Sequence, residues 1–211
     1  ELLAAMASLD LPDDIRAAAL FIAAKAASNA GVGRVAQNWL ERASALSSSS
    51  AIPGKSAYLR SLLALGRNDT EAAKRELVMA ASEATDSDTR NLAHLALARF
   101  AVTERRPRMA LQHYQNVQPG SGYHRDALFE SLYVYLERGQ LTKAKAQADE
   151  FLSRYHHHRY AHQIRPIVAY IELRLGHRDK AQEHMSGAEE SLTKISQWMN
   201  KNLANSTIVQ H

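Results

Sequence analysis

The histidine-rich segment 154–162 contains the residues whose types come closest to a metal site. We call it the basic loop, and its candidate residues are Arg154, His156, His157, His158, Arg159 and His162. His158 and His162 are four residues apart, so both imidazoles would share one helical face if the helix began early enough. However, Asp and Glu are absent between Glu150 and Glu172, and the arginines would repel a cation. We therefore predict no metal ion here and expect the loop to face solvent or a partner protein.

The tripeptide Gly54-Lys55-Ser56 has the residue order that ends a phosphate-binding loop. Such a loop also needs a glycine five residues earlier, where this chain has Ser49. A phosphate-binding loop must also follow a buried strand, and the serine run at 47–50 is not a pattern that predicts one. We therefore predict that the tripeptide leads into a helix after a polar loop at 47–54, and that it binds no nucleotide.

The sequence contains no motif for enzymatic catalysis. Adjacent carboxylates occur at Asp13-Asp14 and Glu189-Glu190, but neighbouring residues on a helix do not face each other and cannot share a proton. The absence of cysteine excludes thiol catalysis and cysteine-ligated zinc, and it is compatible with both cytosol and periplasm. We predict a protein that is not an enzyme and that uses no cofactor.

Positive charge is concentrated in residues 105–180. This part contains 13 Lys and Arg against 7 Asp and Glu, whereas the whole chain carries a net charge of +4. A basic half attracts nucleic acid, an anionic ligand or an acidic protein. Nucleic-acid or anionic-ligand binding is therefore the alternative to protein binding, and it would need a continuous stripe. The residues for such a stripe are Arg105, Arg106, Arg108, Arg154 and Arg159.

Five alanines mark an internal repeat. They follow one another at intervals of 37, 37, 34 and 37 residues: Ala36, Ala73, Ala110, Ala144 and Ala181. Gly31, Gly139 and Gly176 stand five residues before three of them, Arg105 takes this place before the third, and Gly66 stands seven before the second. Glycine ends a helix readily, and a small residue lets the next helix pack closely. The pattern predicts a helix stop followed by a closely packed helix start, with an uncertain register at the second repeat.

We predict an all-α single domain over 1–211, an α-solenoid of about five antiparallel helical hairpins. Few Pro (5) and Gly (9) favour helix over sheet, and no apolar run approaches the roughly 18 residues of a membrane span. The predicted hairpins lie at 14–46, 55–84, 89–118, 124–155 and 160–187, after a helical tail at 1–9. An amphipathic helix at 188–203 would cap the last repeat or, alternatively, join two copies of the chain.

The repeat resembles the tetratricopeptide repeat (TPR) family. Ala110, Tyr114, Val117 and Pro119 match the second helix and closing proline of that family, and Tyr135 matches its first-helix tyrosine. The chain departs from the family in lacking the first-helix Trp and Leu-Gly signature. The resemblance implies a right-handed superhelix whose first helices line a concave, partner-binding groove.

The segment 149–155, followed by Tyr160, Ala161 and Gly176, is similar to repeats of bacterial envelope proteins of the BamD and YbgF types. In those repeats a proline usually follows the tyrosine, whereas this chain has His156. The similarity implies a bacterial, periplasmic or envelope-associated protein, with a cytoplasmic location as the alternative.

From the TPR resemblance, pairs of residues at i and i+4 on each first helix are predicted to line the groove. They are Phe21 and Lys25, Tyr58 and Leu62, Leu95 and Arg99, Phe129 and Tyr133, and Pro166 and Tyr170. Aromatic side chains with scattered cations suit a peptide or helix that carries apolar anchors and some acidic residues. The predicted function is a protein-interaction scaffold or adaptor. The remaining alternative is the helical domain of a larger enzyme or transport machine.

Overall fold

The computed structural model describes residues 11–47 and 51–208, and within these ranges all regular secondary structure is α-helical. The helices are α1 (Asp13–Asn29), α2 (Gly33–Leu46), α3 (Ala51–Gly66), α4 (Thr70–Glu83), α5 (Ser87–Thr103), α6 (Pro107–Gln115), α7 (His124–Glu137), α8 (Leu141–Tyr155), α9 (Ala161–Arg174) and α10 (Arg178–Ile208). The predicted helical tail at 1–9 lies outside the described residues. None of the helices described is long and apolar enough to cross a membrane.

The chain forms two compact units, Glu1–Ala127 and Leu128–His211. In the first unit, α1 packs against α2, α3 against α4 and α5 against α6, and each hairpin also contacts the next. Ala36, Ala73 and Ala110 are completely buried where the second helix of each hairpin packs. A methyl side chain lets helix axes approach closely, so the predicted role of the repeating alanine is confirmed in this unit.

In the second unit, α9 packs against both α8 and α10. The contact between α7 and α8 includes a hydrogen bond from Ser131 Oγ to Gln147 Oε1 (2.9 Å). Phe151, Ile164 and Ile171 are fully buried and form the core. Helices therefore pair as hairpins in both units, as the sequence predicted.

A left-handed residue stands five residues before each of the five repeating alanines. These residues are Gly31 (φ +75°), Asn68 (φ +60°), Arg105 (φ +57°), Gly139 (φ +65°) and Gly176 (φ +87°). The second repeat therefore turns at Asn68, and Gly66 remains part of α3. The second repeat therefore has the same register as the other four. Asparagine can take the place of glycine at this turn because it tolerates positive φ better than most residues.

We expect Arg105→Gly to increase the free energy of unfolding by about 0.5–1 kcal/mol. Arg105 holds φ at +57°, where a side chain crowds the backbone and glycine does not. Urea denaturation of the wild type and the variant measures the gain. Arg105→Ala is the control, since it removes the charge but keeps the Cβ atom. An equal gain in the alanine variant would contradict a backbone origin.

Two predicted boundaries are wrong. The polar loop predicted at 47–54 is shorter, because α3 already begins at Ala51 and its first turn tolerates Pro53. The predicted capping helix at 188–203 is no separate element, because α10 runs without a break from Arg178 to Ile208. Gly187 lies inside α10, and a single glycine costs only about 1 kcal/mol when its backbone stays helical.

Candidate binding face

One position of the first helices is exposed in every repeat. It is occupied by Lys25, Leu62, Arg99, Tyr133 and Tyr170, which are separated by the same intervals as the repeating alanines. We call these residues the central row. Three of them are large apolar or aromatic side chains that expose more than a third of their surface, with Leu62 at 44%, Tyr133 at 39% and Tyr170 at 48%. Apolar and aromatic exposure at a repeating position is typical of a binding surface.

On each first helix, the residue four positions before the central row is packed against the rest of the protein. Phe21, Tyr58 and Phe129 are half-buried, and Leu95 is only 3% exposed. The prediction that Leu95 lines a groove is therefore wrong, since this side chain belongs to the core. The reason is the helical period, because residues four apart differ in direction by about 40° and the earlier one faces the neighbouring helix.

In the first unit, the face combines apolar side chains with cations. Ile22, Leu65 and Val102 are exposed on α1, α3 and α5 near the central row, with Ile22 at 67%. Burial raises the pKa of Tyr58, the charge of Tyr123 raises it further, and the charge of Arg99 lowers it. The face can therefore accept an apolar side chain and a carboxylate together.

In the second unit, the face is aromatic. Phe129 stacks on Tyr160 with ring centroids 4.1 Å apart, and Tyr133 packs edge-on against Phe129 at 5.2 Å. Burial raises the pKa of Tyr133. On α9, the Oη atom of Tyr170 accepts a hydrogen bond from Arg174 Nη1 (2.8 Å). These rigid rings offer a large contact area with little entropy to lose on binding.

The histidines of the basic loop separate into a packed and an exposed group. The ring of His158 lies edge-on to Tyr160 at 4.8 Å, and its Nδ1 accepts a hydrogen bond from the Tyr160 backbone N–H (3.3 Å). His156 and His157 are exposed, with ring centroids 4.0 Å apart. His158 precedes α9, so it does not share a helical face with His162.

The arginines of the basic loop also interact with other side chains. Arg154 Nε lies 3.1 Å from Glu150 Oε1, and the Arg159 guanidinium lies 5.1 Å from the ring centroid of Tyr160. Across the part of the chain that the structure describes, no group of three or more His, Asp or Glu side chains could hold a metal ion.

Two clusters of titratable groups were not predicted from the sequence. His94 on α5 and His113 on α6 approach within 3.3 Å (Nδ1 to Nδ1). Burial lowers the pKa of both imidazoles, and His113 and Arg90 lower that of His94 further. Such contacts depend on which helices pack together, and no sequence spacing signals them. The pair joins two packed helices.

The second cluster surrounds Glu172, which is 1% exposed. Its carboxylate accepts a hydrogen bond from His177 Nδ1 (2.6 Å) and lies 3.3 Å from Lys145 Nζ. Burial alone would raise the pKa of Glu172, but the interactions with His177 and Lys145 outweigh it and lower the pKa. This buried carboxylate joins α8 and α9 to the turn before α10.

We expect Glu172→Gln to reduce the free energy of unfolding by about 1–3 kcal/mol at pH 7. Because the folded-state pKa is lowered, the ionised carboxylate stabilises the fold above the ordinary pKa of 4.5. This contribution is lost as the pH falls through the lower, folded-state value. Denaturation between pH 7 and pH 3 should therefore show the variant and the wild type converging in acid. Glu183→Gln, at an exposed site on α10, is the control. A difference that stays constant with pH would contradict the role of the charge.

Comparisons with known proteins identify the fold. No protein-family model matches the chain, and no curated protein matches it. Among solved structures, YrrB, described as a TPR protein with an unusual peptide-binding site, is 17% identical (TM-score 0.63; 90% of this chain and 92% of YrrB covered). A structure of MamA is 14% identical (TM-score 0.64; 86% of this chain and 94% of MamA covered). These likenesses confirm the predicted all-α fold, and the chain has the fold of a TPR protein.

Proposed function

We propose that this protein is a non-catalytic scaffold that holds a segment of a partner protein against the exposed face of its first helices. The observation that carries this proposal is the central row, which is exposed in every repeat while the position four residues earlier packs inside. The fold supports it, since YrrB shares this fold and is described as having a peptide-binding site.

The face suits a segment with apolar anchors and acidic residues. Leu62, Tyr133 and Tyr170 supply the exposed apolar and aromatic area, and Lys25 and Arg99 supply positive charge. Four residues before the central row, Phe21 and Tyr58 in the first unit and Phe129 in the second are half-buried. Aromatic and arginine side chains contribute most of the energy at protein interfaces, so this composition favours a protein ligand.

Nucleic-acid binding is less well supported. Arg106 Nη1 lies 3.4 Å from Glu104 Oε2, and Arg154 Nε lies 3.1 Å from Glu150 Oε1. A phosphate would have to compete with these carboxylates, which weakens the electrostatic attraction that such binding requires. The titratable clusters of His94 and Glu172 join packed helices and do not point to a substrate site.

We further propose a bacterial, periplasmic or envelope-associated location. The support is the segment 149–155, which is similar to repeats of BamD-type and YbgF-type proteins. Fractionation of the source cells should find the native protein in the periplasmic or envelope fraction. Recovery from the cytosol alone would overturn this location but not the scaffold function.

Site-specific photo-crosslinking tests the scaffold function. A photoreactive phenylalanine analogue replaces Leu62, Tyr133 or Tyr170 in the native cells. In control variants it replaces Val78 or Met185, which have similar exposure on the second helices of the two units. We expect discrete cross-linked products from the first-helix positions only. Equal labelling from both sets, or no product from the central row, would overturn the proposal.

A further inference from the structure

We propose that His94 on α5 and His113 on α6 form a binding site for a zinc ion, which links the two helices of the third hairpin. The two imidazoles supply two ligands of a tetrahedral site, and water supplies the others. This inference goes beyond the proposed scaffold function and does not depend on it.

The distance between the two imidazoles fits tetrahedral zinc. The Nδ1 atom of His94 lies 3.3 Å from the Nδ1 atom of His113. Zinc binds imidazole nitrogen at about 2.0–2.1 Å, so two nitrogen ligands of a tetrahedral ion are about 3.3–3.4 Å apart. The usual length of an N–H···O hydrogen bond is shorter, at about 2.9–3.0 Å. The separation is therefore long for a hydrogen bond and matches one edge of a zinc tetrahedron.

The orientation of the rings also suits a shared ion. The ring centroids are 5.5 Å apart and the nitrogens only 3.3 Å, so the two Nδ1 atoms face each other. In the neutral pair, one Nδ1 carries a proton and donates it to the other. Zinc needs the lone pair of both nitrogens, so the donor ring moves its proton to Nε2, which gives the second neutral tautomer of imidazole. Both rings then bind zinc without loss of a proton from the pair.

The surroundings favour neutral imidazoles that water can reach. Both residues are half-buried, and burial lowers the pKa of each imidazole, which favours the uncharged form that binds metals. The charge of Arg90 also lowers the pKa of His94 and opposes a cation. However, the Arg90 guanidinium donates hydrogen bonds to the carbonyl oxygens of Ala84 and Thr85, at the end of α4. It therefore occupies no ligand position.

The site has two protein ligands, because in the described part of the chain no further His, Asp or Glu completes a group of three. Structural zinc sites have four protein ligands and catalytic sites have three, so this site is weaker than either. Its binding energy still stabilises the fold, since zinc binds the folded hairpin in preference to the unfolded chain. The two histidines are 19 positions apart in sequence, and only the folded hairpin brings them together.

Zinc titration of the full chain tests the site in a background that carries His156→Ala and His157→Ala. These two exposed histidines lie close together and could bind zinc themselves. Binding is measured by calorimetry, and stability by urea denaturation with and without zinc. We expect zinc to raise the urea midpoint, whereas magnesium, which prefers oxygen ligands, should not. Nitrogen-detected NMR should show that zinc shifts the imidazole signals of His94 and His113.

Two variants remove the ligands with side chains that other hairpins carry at the equivalent positions. They are His94→Leu, after Leu20 in the first hairpin, and His113→Gln, after Gln147 in the fourth. Each variant should weaken zinc binding by about tenfold or more and abolish the shift in the urea midpoint. An unchanged zinc response in the double variant, equal stabilisation by magnesium, or zinc shifts confined to other histidines would overturn the inference. None of these results would affect the photo-crosslinking test of the scaffold function.

Discussion

Gly54→Ala is expected to reduce the free energy of unfolding by about 3 kcal/mol, in the range of severe overpacking. Gly54 is buried in the first turn of α3. A Cβ atom there would clash with the Cα atom of Ala84 at the end of α4 and would lie only 2.6 Å from its backbone nitrogen. Backbone atoms cannot rotate away as a flexible side chain can, so α3 and α4 would have to separate. Urea denaturation measures the loss.

Two further variants make this prediction specific. Gly66→Ala changes the same residue type at the other end of α3, where an added Cβ would meet no atom within 4 Å. It should be neutral or stabilise the helix by up to about 1 kcal/mol. Adding Ala84→Gly to Gly54→Ala should restore little stability, because the closest atoms belong to the backbone of residue 84. Wild-type stability in Gly54→Ala would show that the two helices are not in close contact.

Phe151→Ala is expected to cost about 4 kcal/mol in the second unit, as is typical of a buried phenylalanine. Phe151 is fully buried, and its ring lies 5.4 Å from Tyr155, 6.0 Å from His158 and 6.3 Å from Phe129. Removing the ring leaves a cavity under the aromatic part of the binding face. Thermal or urea unfolding, followed by tyrosine fluorescence, should show the loss.

Tyr170→Ala is the matched control for Phe151→Ala. Tyr170 is an aromatic residue of the same unit, but it is 48% exposed and belongs to the central row. Its replacement should change the free energy of unfolding by less than about 1 kcal/mol. It should also remove photo-crosslinking to the partner when the photoreactive analogue is placed at another position of the central row. If Phe151→Ala proved no more destabilising than Tyr170→Ala, the core of the second unit would be misassigned.

At the binding face, the local sequence pattern predicts which residues share one side of a helix, and tertiary packing determines which of them are exposed. The sequence predicted ten groove residues as pairs four apart, and the structure exposes only the later member of each pair. Leu95 and Arg99 illustrate the difference, because Leu95 is core and Arg99 is exposed. Helical periodicity places both residues on the same broad face. Which of them touches the neighbouring helix depends on how the helix is rotated in the hairpin, and only tertiary contacts determine that rotation.

The sequence by itself determined the repeat, because the stop and start of each helix depend on local backbone preferences. Ala36, Ala110 and Ala144 marked the closely packed helices, and Gly31 and Gly139 marked the turns. Only the tertiary structure decided that Asn68 and Arg105 also adopt positive φ, that α10 continues through 188–203, and that Gly54 serves close packing. The clusters around Glu172 and His94 likewise join residues from different elements. Such features arise from contacts between residues distant in sequence, and short-range periodicity does not encode them.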